Sequence, residues 1–280
     1  MNNYRDRISK WSGVKIMENK NLEQGKDWNP DLYLKYRNER TQPSIDLISK
    51  IEISFYPKSI LDIGCGPGNS SQALLQRWPN AILTGIDNSM NMIEKAKTSY
   101  PNNIWIVEDA SKYSTNTKYD IVFSNATIQW ISNHEYLFHK LANFTNDGGV
   151  LAVSVPRFNE MPLSSAIQKV ASKEKWREPT KGCSELFTYH DYKYYYDLIS
   201  IDYKSIEFWQ TDYIHILESQ YSIMEWIRST GMKPYLDCLQ DEEKSLFETE
   251  VLAEIKCDYP VQNDGKVLFP FKRLFMIGYK

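Results

Sequence analysis

The sequence predicts an α/β fold in which a doubly wound, mostly parallel sheet carries helical cap insertions. Three observations lead there. From Asp46 to Val155, short apolar runs alternate with segments of helical character, as βαβ units require. A glycine-rich turn, Gly64-Cys65-Gly66-Pro67-Gly68, directly follows the first run. The later runs end in Asp87, in Glu108-Asp109 and in Asn125-Ala126, which collects polar residues at strand tips, the rim where open α/β sheets bind ligands.

The elements follow in order. A first helix starts near Pro30, whose fixed φ and missing N–H suit a first turn. Ile60 to Ile63, Ala81 to Ile86, Ile104 to Val107 and Tyr119 to Ser124 read as strands. Ser70–Trp78, Ser89–Ser99 and His134–Phe144 read as helices, the last with Leu137, Leu141 and Phe144 on one face. After Pro156 the pattern changes. Pro162 to Lys175 reads as a single helix, Tyr189 to Tyr203 is dense in tyrosine, and Ser219–Ser229 and Asp241–Asp258 read as further helices. Ile206 to Ile216 alternates apolar and polar residues as a half-buried strand does, and Leu268 to Tyr279 is the closing strand. Residues 1–26 are polar and charged and lack helical periodicity, so they are expected to be a disordered extension, with Met17 an alternative start. One domain over 27–280 is expected: a ligand-binding core over 27–156, cap insertions and a closing strand over 157–265, and a final strand over 266–280.

Composition narrows the partners. With 33 basic against 36 acidic residues, the net charge of −3 gives no footprint for nucleic acid and no polybasic membrane patch. No run of about 18 apolar residues occurs, so no membrane span is expected. Cys65, Cys183, Cys238 and Cys257 have no C-x-x-C spacing, which points away from a zinc site and suits a reducing cytoplasm. The expectation is a cytoplasmic protein, a monomer or weak dimer, acting on a small molecule without a metal.

The glycine turn restricts the ligand. The third glycine of a dinucleotide fingerprint is replaced by Asn69, and no lysine lies between Gly64 and Gln76 to serve a nucleoside triphosphate. Pro67 removes an N–H from the middle of the turn. The turn therefore suits a nucleoside-like ligand without phosphate. Asp87, about 20 residues past the glycines, can accept from both ribose hydroxyls, and Asp109 offers a carboxylate to an adenine amino group. Together with Asn125 these positions resemble the Rossmann-like class I S-adenosylmethionine-dependent methyltransferases.

The flanks resemble one family within that class. Trp28-Asn29-Pro30-Asp31-Leu32-Tyr33-Leu34, Glu39-Arg40-Thr41-Gln42-Pro43, Asp62 to Ser71, Arg77 to Ala81 and Thr84 to Met90 are similar in order and spacing to trans-aconitate methyltransferases. So are Asn125 to Trp130, Gly148 to Val153, Trp209 to His215, Thr230 to Pro234 and Phe271 to Phe275. The resemblance implies a seven-stranded sheet with an antiparallel last hairpin, S-adenosyl-L-methionine as donor and S-adenosyl-L-homocysteine as product. It implies cofactor contacts at Asp62, Gly64, Cys65, Gly66, Gly68, Asn69, Asp87, Asn88, Met92, Asp109, Ala110, Asn125, Ala126 and Trp130. Arg40 is assigned to the methionine carboxylate, with Glu39 or Asp46 on its own helix as the alternative partner.

Methyl transfer to a carboxylate needs no strong base, because the acceptor is already ionised at neutral pH. Grip on the acceptor matters more. Trp28, Tyr33, Tyr196, Tyr213, Lys233 and Arg273 are the candidate acceptor contacts, with Arg177 as a further cation; Tyr33 and His215 are the candidate positioning residues. Each has a packing role as its alternative: Trp28 and Tyr33 as a staple for the first helix, Tyr196 within the tyrosine-dense segment, His215 as a core histidine. Lys233 stands where the resembled family often has arginine, which weakens a bidentate clamp. Two other functions stay open: transfer to a hydroxyl or amine, with His215 as base, and donor binding without turnover.

Overall fold

The computed structural model describes residues 27–280. The expectation for residues 1–26 lies outside them. The chain enters through α1 (Pro30–Leu34), capped by Asn29, whose side chain accepts from the Asp31 and Leu32 N–H groups. α2 (Arg37–Lys50) follows with Pro43 inside it. The βαβ series is then β1 (Ser59–Ile63), α3 (Asn69–Arg77), β2 (Ile82–Asp87), α4 (Met90–Ser99), β3 (Ile104–Val107), β4 (Tyr119–Asn125), α5 (His134–Phe144) and β5 (Thr145–Pro156). α1, β1 to β4 and α3 to α5 fall within a few residues of their sequence expectations, whereas the sequence sets no bounds for α2 and β5.

The single helix expected over 162–175 is two. α6 (Pro162–Ala171) stops where the Ser172 hydroxyl donates back to the Lys169 carbonyl at 2.7 Å, and Lys173 is extended before α7 (Glu174–Arg177). The break turns Trp176 into the interior, where its ring meets Phe247 edge-on at 5.4 Å and its N–H donates to Glu250. Burying an indole outweighs continuing a regular helix. α8 (Tyr192–Ile199) occupies part of the tyrosine-dense segment, and β6 (Ser205–Leu217) leads to α9 (Gln220–Arg228), α10 (Lys233–Asp237), α11 (Asp241–Ile255) and β7 (Val267–Tyr279). The periodicity gave no sign of the short α10.

The sheet has seven strands in the order β3-β2-β1-β4-β5-β7-β6. β1 to β5 run parallel; β7 is antiparallel to both β5 and β6. This is the doubly wound sheet with an antiparallel final hairpin that the sequence led us to expect. One face packs Phe123 and Phe275 against Leu47, Leu74 and Ile93 of the flanking helices. The other packs Val153 and Met276 against Leu141 and Tyr195. A third cluster fills the cap, where Trp176, Met224, Phe247 and Phe269 meet. The far end of the β6–β7 hairpin reaches into that cluster, so the cap is anchored to the sheet by its own strands.

Candidate active site

β1 ends in a turn built by three left-handed glycines, Gly64, Gly66 and Gly68, with φ of +69°, +54° and +92°. A Cβ at Gly64 would lie 2.0 Å from the Thr127 hydroxyl, whereas one at Gly66 would meet nothing within 4 Å. Gly64 thus lets β1 and the β4 loop close on each other, and Gly66 faces open space. Below the turn, Asp62 accepts from the hydroxyls of Ser70 and Ser71 at 2.7 and 2.6 Å, which ties β1 to the first turn of α3. Complete burial pushes the Asp62 carboxyl up to about 6 against these two donors.

The tips of β1 to β4 open onto a cavity of about 600 Å3. Gly64, Gly66, Asp87, Asn88, Met92, Asp109, Ala110, Asn125, Ala126 and Trp130 line it, with Trp28, Tyr33 and Lys233 on the cap side. Asp87 is held by two backbone donors, Gly66 N–H and Ser89 N–H, both at 2.9 Å. Burial raises its carboxyl above the ordinary value against their pull. Ala126, at φ +56°, is the one residue besides glycine with positive φ among the described residues, and Gln129 holds its carbonyl at 2.8 Å. Such strain persists where surrounding contacts over-determine it. Trp28 stands edge-on to Trp130 at 5.4 Å, and Trp130 packs on Phe187 at 4.6 Å, so the N-terminal segment lies against the cap at the cavity wall.

A smaller recess beneath the glycine turn is lined by Tyr33, Arg40, Cys65, Asn69 and Asn125. Arg40 is buried there with its guanidinium 4.4 Å from the centre of the Tyr33 ring. Its Nη2 donates to the Trp226 carbonyl at 2.7 Å and to Ser229 at 3.1 Å, which leaves Nε and Nη1 without partners. It makes no ion pair with Glu39 or Asp46. Asn69 Nδ2 and Asn125 Oδ1 are likewise buried and unmatched. Buried polar atoms without partners are few in folded proteins, and together these describe a place for a small zwitterion.

Of the buried arginines Arg40, Arg157 and Arg273, Arg157 is held by Glu160 and the His190 carbonyl, and Arg273 is the second with unmatched nitrogens. In the sheet it lies opposite Pro156 of β5 and Thr211 of β6, at the C-terminal end of β5. Burial lowers it to about 10, and the nearby charge of Arg40 pushes the same way. Its Nε and Nη1 have no partner. It does not line the large cavity.

Several expected contacts are elsewhere. Tyr196 is half-exposed, turns its ring toward Phe208 and lines no cavity; α8 turns its neighbour Tyr195 inward instead, onto His134. Tyr213 donates its hydroxyl to Asp46 of α2, an interaction between strand and helix. His215 packs against Trp226 at 4.5 Å; burial and the charge of Arg273 lower it to about 4, so it is a poor base near neutrality. Asp62 supports the turn from below, and Gly68 starts α3, where a Cβ would meet Tyr100 at 2.8 Å; neither lines a cavity. Lys233 lines the large cavity but is ion-paired with Asp237. Arg177 donates to the Ser172 carbonyl near its own helix. Asp27, Thr127, Leu186 and Asp237 also line the cavity and were not singled out from the sequence. Asp27 and Thr127 adjoin Trp28 and Ala126, while nothing in the pattern marks Leu186. Among the described residues, no group of three or more His, Cys, Asp or Glu side chains is placed to hold a metal, and no helix is long and apolar enough to cross a membrane.

Residues 60–149 match the methyltransferase-domain family. A trans-aconitate 2-methyltransferase from Rhodopseudomonas palustris is 36% identical over 91% of this chain and 99% of its own length. Its counterpart from Escherichia coli O157:H7 is 36% identical over 90% and 98%. Among solved structures, YcgJ from Bacillus subtilis superposes with a TM-score of 0.55 at 14% identity, covering 85% of this chain and 98% of that one. Phosphoethanolamine N-methyltransferase 2 from Haemonchus contortus, solved with S-adenosyl-L-methionine, gives 0.55 at 14%, covering 89% and 56%. These two share the fold. The identity to the curated relatives, sustained over nine-tenths of the sequence, places this chain in the trans-aconitate 2-methyltransferase family of S-adenosylmethionine-dependent enzymes.

Proposed function

We propose that the protein methylates one carboxylate of trans-aconitate, or of a closely similar small polycarboxylic acid, to give a monomethyl ester. The observation that carries this reading is Arg273, a buried guanidinium whose Nε and Nη1 have no hydrogen-bond partner. Such a charge is costly unless an anion joins it. The names of the relatives supply the acid.

The donor, when bound, supplies an electrophilic methyl group on a sulfonium. For it, Asp87 would accept from the ribose hydroxyls and Asp109 from the adenine amino group, while Gly64 and Gly66 let the backbone approach. Arg40, Asn69 and Asn125 would take the methionine end. Arg273 would hold a non-reacting carboxylate, with Tyr33 and Arg40 among its electrostatic neighbours. Trp28 and Trp130 exclude water from the donor, and positioning then supplies most of the rate. No residue need remove a proton, because the acceptor oxygen is already anionic. The division into a donor-binding core over 27–156 and an acceptor-facing cap, a cytoplasmic location, a monomeric or weakly dimeric state and the lack of a nucleic-acid partner belong to the same reading.

The test is a labelled-donor assay across trans-aconitate, cis-aconitate, isocitrate and panels of amines and phenols. Methyl ester formed on the tricarboxylates is the expected outcome. Turnover confined to amines or phenols would overturn the carboxylate reading, and donor binding with no turnover on any acceptor would leave a binding protein.

A further inference from the structure

Two cysteines sit side by side in the cap wall. The turn Cys183–Leu186 is introduced by left-handed Gly182 and ends on Leu186, which lines the large cavity. Cys238 follows α10, whose Lys233, Pro234 and Asp237 line the same cavity. The turn and α10 pack against each other, and Cys183 Sγ lies 3.3 Å from Cys238 Sγ. Neither sulfur is in a disulfide.

We propose that Cys183 and Cys238 are a reversible thiol–disulfide pair whose oxidation by a hydroperoxide joins two walls of the donor cavity and weakens ligand binding there. The geometry needs little adjustment. A disulfide sets its sulfurs about 2.05 Å apart, so the two must close by roughly 1.3 Å, a distance that side-chain rotation and a small approach of the turn to α10 can cover.

The chemistry balances with the oxidant named. Cys238 is part-exposed and Cys183 is buried, so peroxide reaches Cys238 first. Its thiolate attacks the peroxide, breaking the O–O bond to give a sulfenic acid and, for hydrogen peroxide, a first water. The Cys183 thiolate then attacks the sulfenyl sulfur and expels hydroxide, which takes up the proton that Cys183 released as a second water. Two electrons pass from the thiols to the peroxide. Burial, with Cys238 and Asp237 beside it, pushes the Cys183 thiol up, which slows the second step. Cys65 lies in the glycine turn and Cys257 on the surface, each away from this pair.

The drawing together of the turn and α10 shifts Leu186 and Lys233, both of which line the large cavity. The device rests on the donor cavity and not on the identity of the acceptor, so binding of S-adenosyl-L-homocysteine is the readout. Full-length protein is treated with hydrogen peroxide, digested without reduction and mapped by mass spectrometry, and its affinity for S-adenosyl-L-homocysteine is measured by calorimetry. The expected result is a linked Cys183–Cys238 peptide pair, several-fold weaker binding and full recovery with dithiothreitol. Cys238→Ser and Cys183→Ala should bind like untreated wild type and keep that affinity in peroxide. Peroxide-treated protein without this link overturns the pairing, and linked protein with unchanged affinity overturns the switch. A failed acceptor assay would count against the proposed activity and leave both results standing.

Discussion

The Arg40 guanidinium stacks over the Tyr33 ring at 4.4 Å while two of its nitrogens stay buried and unmatched. An aromatic face, the Trp226 carbonyl and the Ser229 hydroxyl hold the charge in place but do not neutralise it. Arg40→Lys should therefore weaken donor binding about tenfold to a hundredfold, the loss expected for a charge-assisted contact of about 1.5–3 kcal/mol, with little change in the acceptor KM. Calorimetry with S-adenosyl-L-homocysteine checks it. Unchanged affinity would make Arg40 a tie between α2 and α9 and nothing more.

Arg273 should separate from Arg40 in the same measurements. Arg273→Met removes a buried charge that makes no ion pair among the described residues and leaves two nitrogens unmatched, so the melting temperature should hold or rise. The acceptor KM should increase by roughly a hundredfold through loss of a charged hydrogen-bonding contact of about 3 kcal/mol. Donor affinity should stay near wild type. A lower melting temperature with an unaltered KM would assign Arg273 to folding.

Two of the three glycines of the turn, Gly64 and Gly66, should fail differently. Each holds a left-handed conformation that costs an alanine about 1–2 kcal/mol. Gly64→Ala adds a collision with Thr127, so urea unfolding should reveal a large loss of stability. Gly66→Ala meets only the open cavity, and its main effect should be on donor affinity. Equal losses of stability in the two variants would refute this division.

Folding lowers the His215 value from 6.5 to about 4, which favours the neutral ring. The stability this contributes is present above pH 6.5 and is lost as pH falls toward 4. Urea midpoints taken between pH 7 and pH 4 should thus decline less in His215→Phe than in wild type. Turnover above pH 6.5 should carry no ionisation from this residue, and a limb in kcat there that disappears in His215→Phe would restore it as a base.

The donor half was legible in the sequence because its signals are local. Glycines at alternate positions and acidic residues at strand ends are set by backbone conformation and topology, and Gly64, Asp87, Asp109 and Asn125 converge on one cavity as expected. Asp62 and Gly68 lie in the same motif but serve the turn itself, a distinction that needs knowledge of which way each residue faces. The expected acceptor contacts depend on which tyrosine of α8 turns inward and on what Tyr213 meets across the sheet. Neither contact is local: Asp46 and Tyr213 are brought together only by the finished fold. The break between α6 and α7 was hidden for the same reason, since Phe247 and Glu250 decide the position of Trp176 from far along the chain.

The placement of β7 has a consequence for how the chain reaches this state. β5 is a central strand, yet one of its two neighbours comes from more than a hundred residues later, with Val150 beside Tyr279 and Pro156 beside Arg273. Pairings so distant in sequence carry a large loop-closure cost and form slowly. As the ribosome delivers the chain, β1 to β5 can assemble with an open edge at β5, and that edge stays unpaired until Val267–Tyr279 has been made. The same strand that caps this aggregation-prone edge carries Arg273, so the acceptor contact we propose arrives with the closing step of folding.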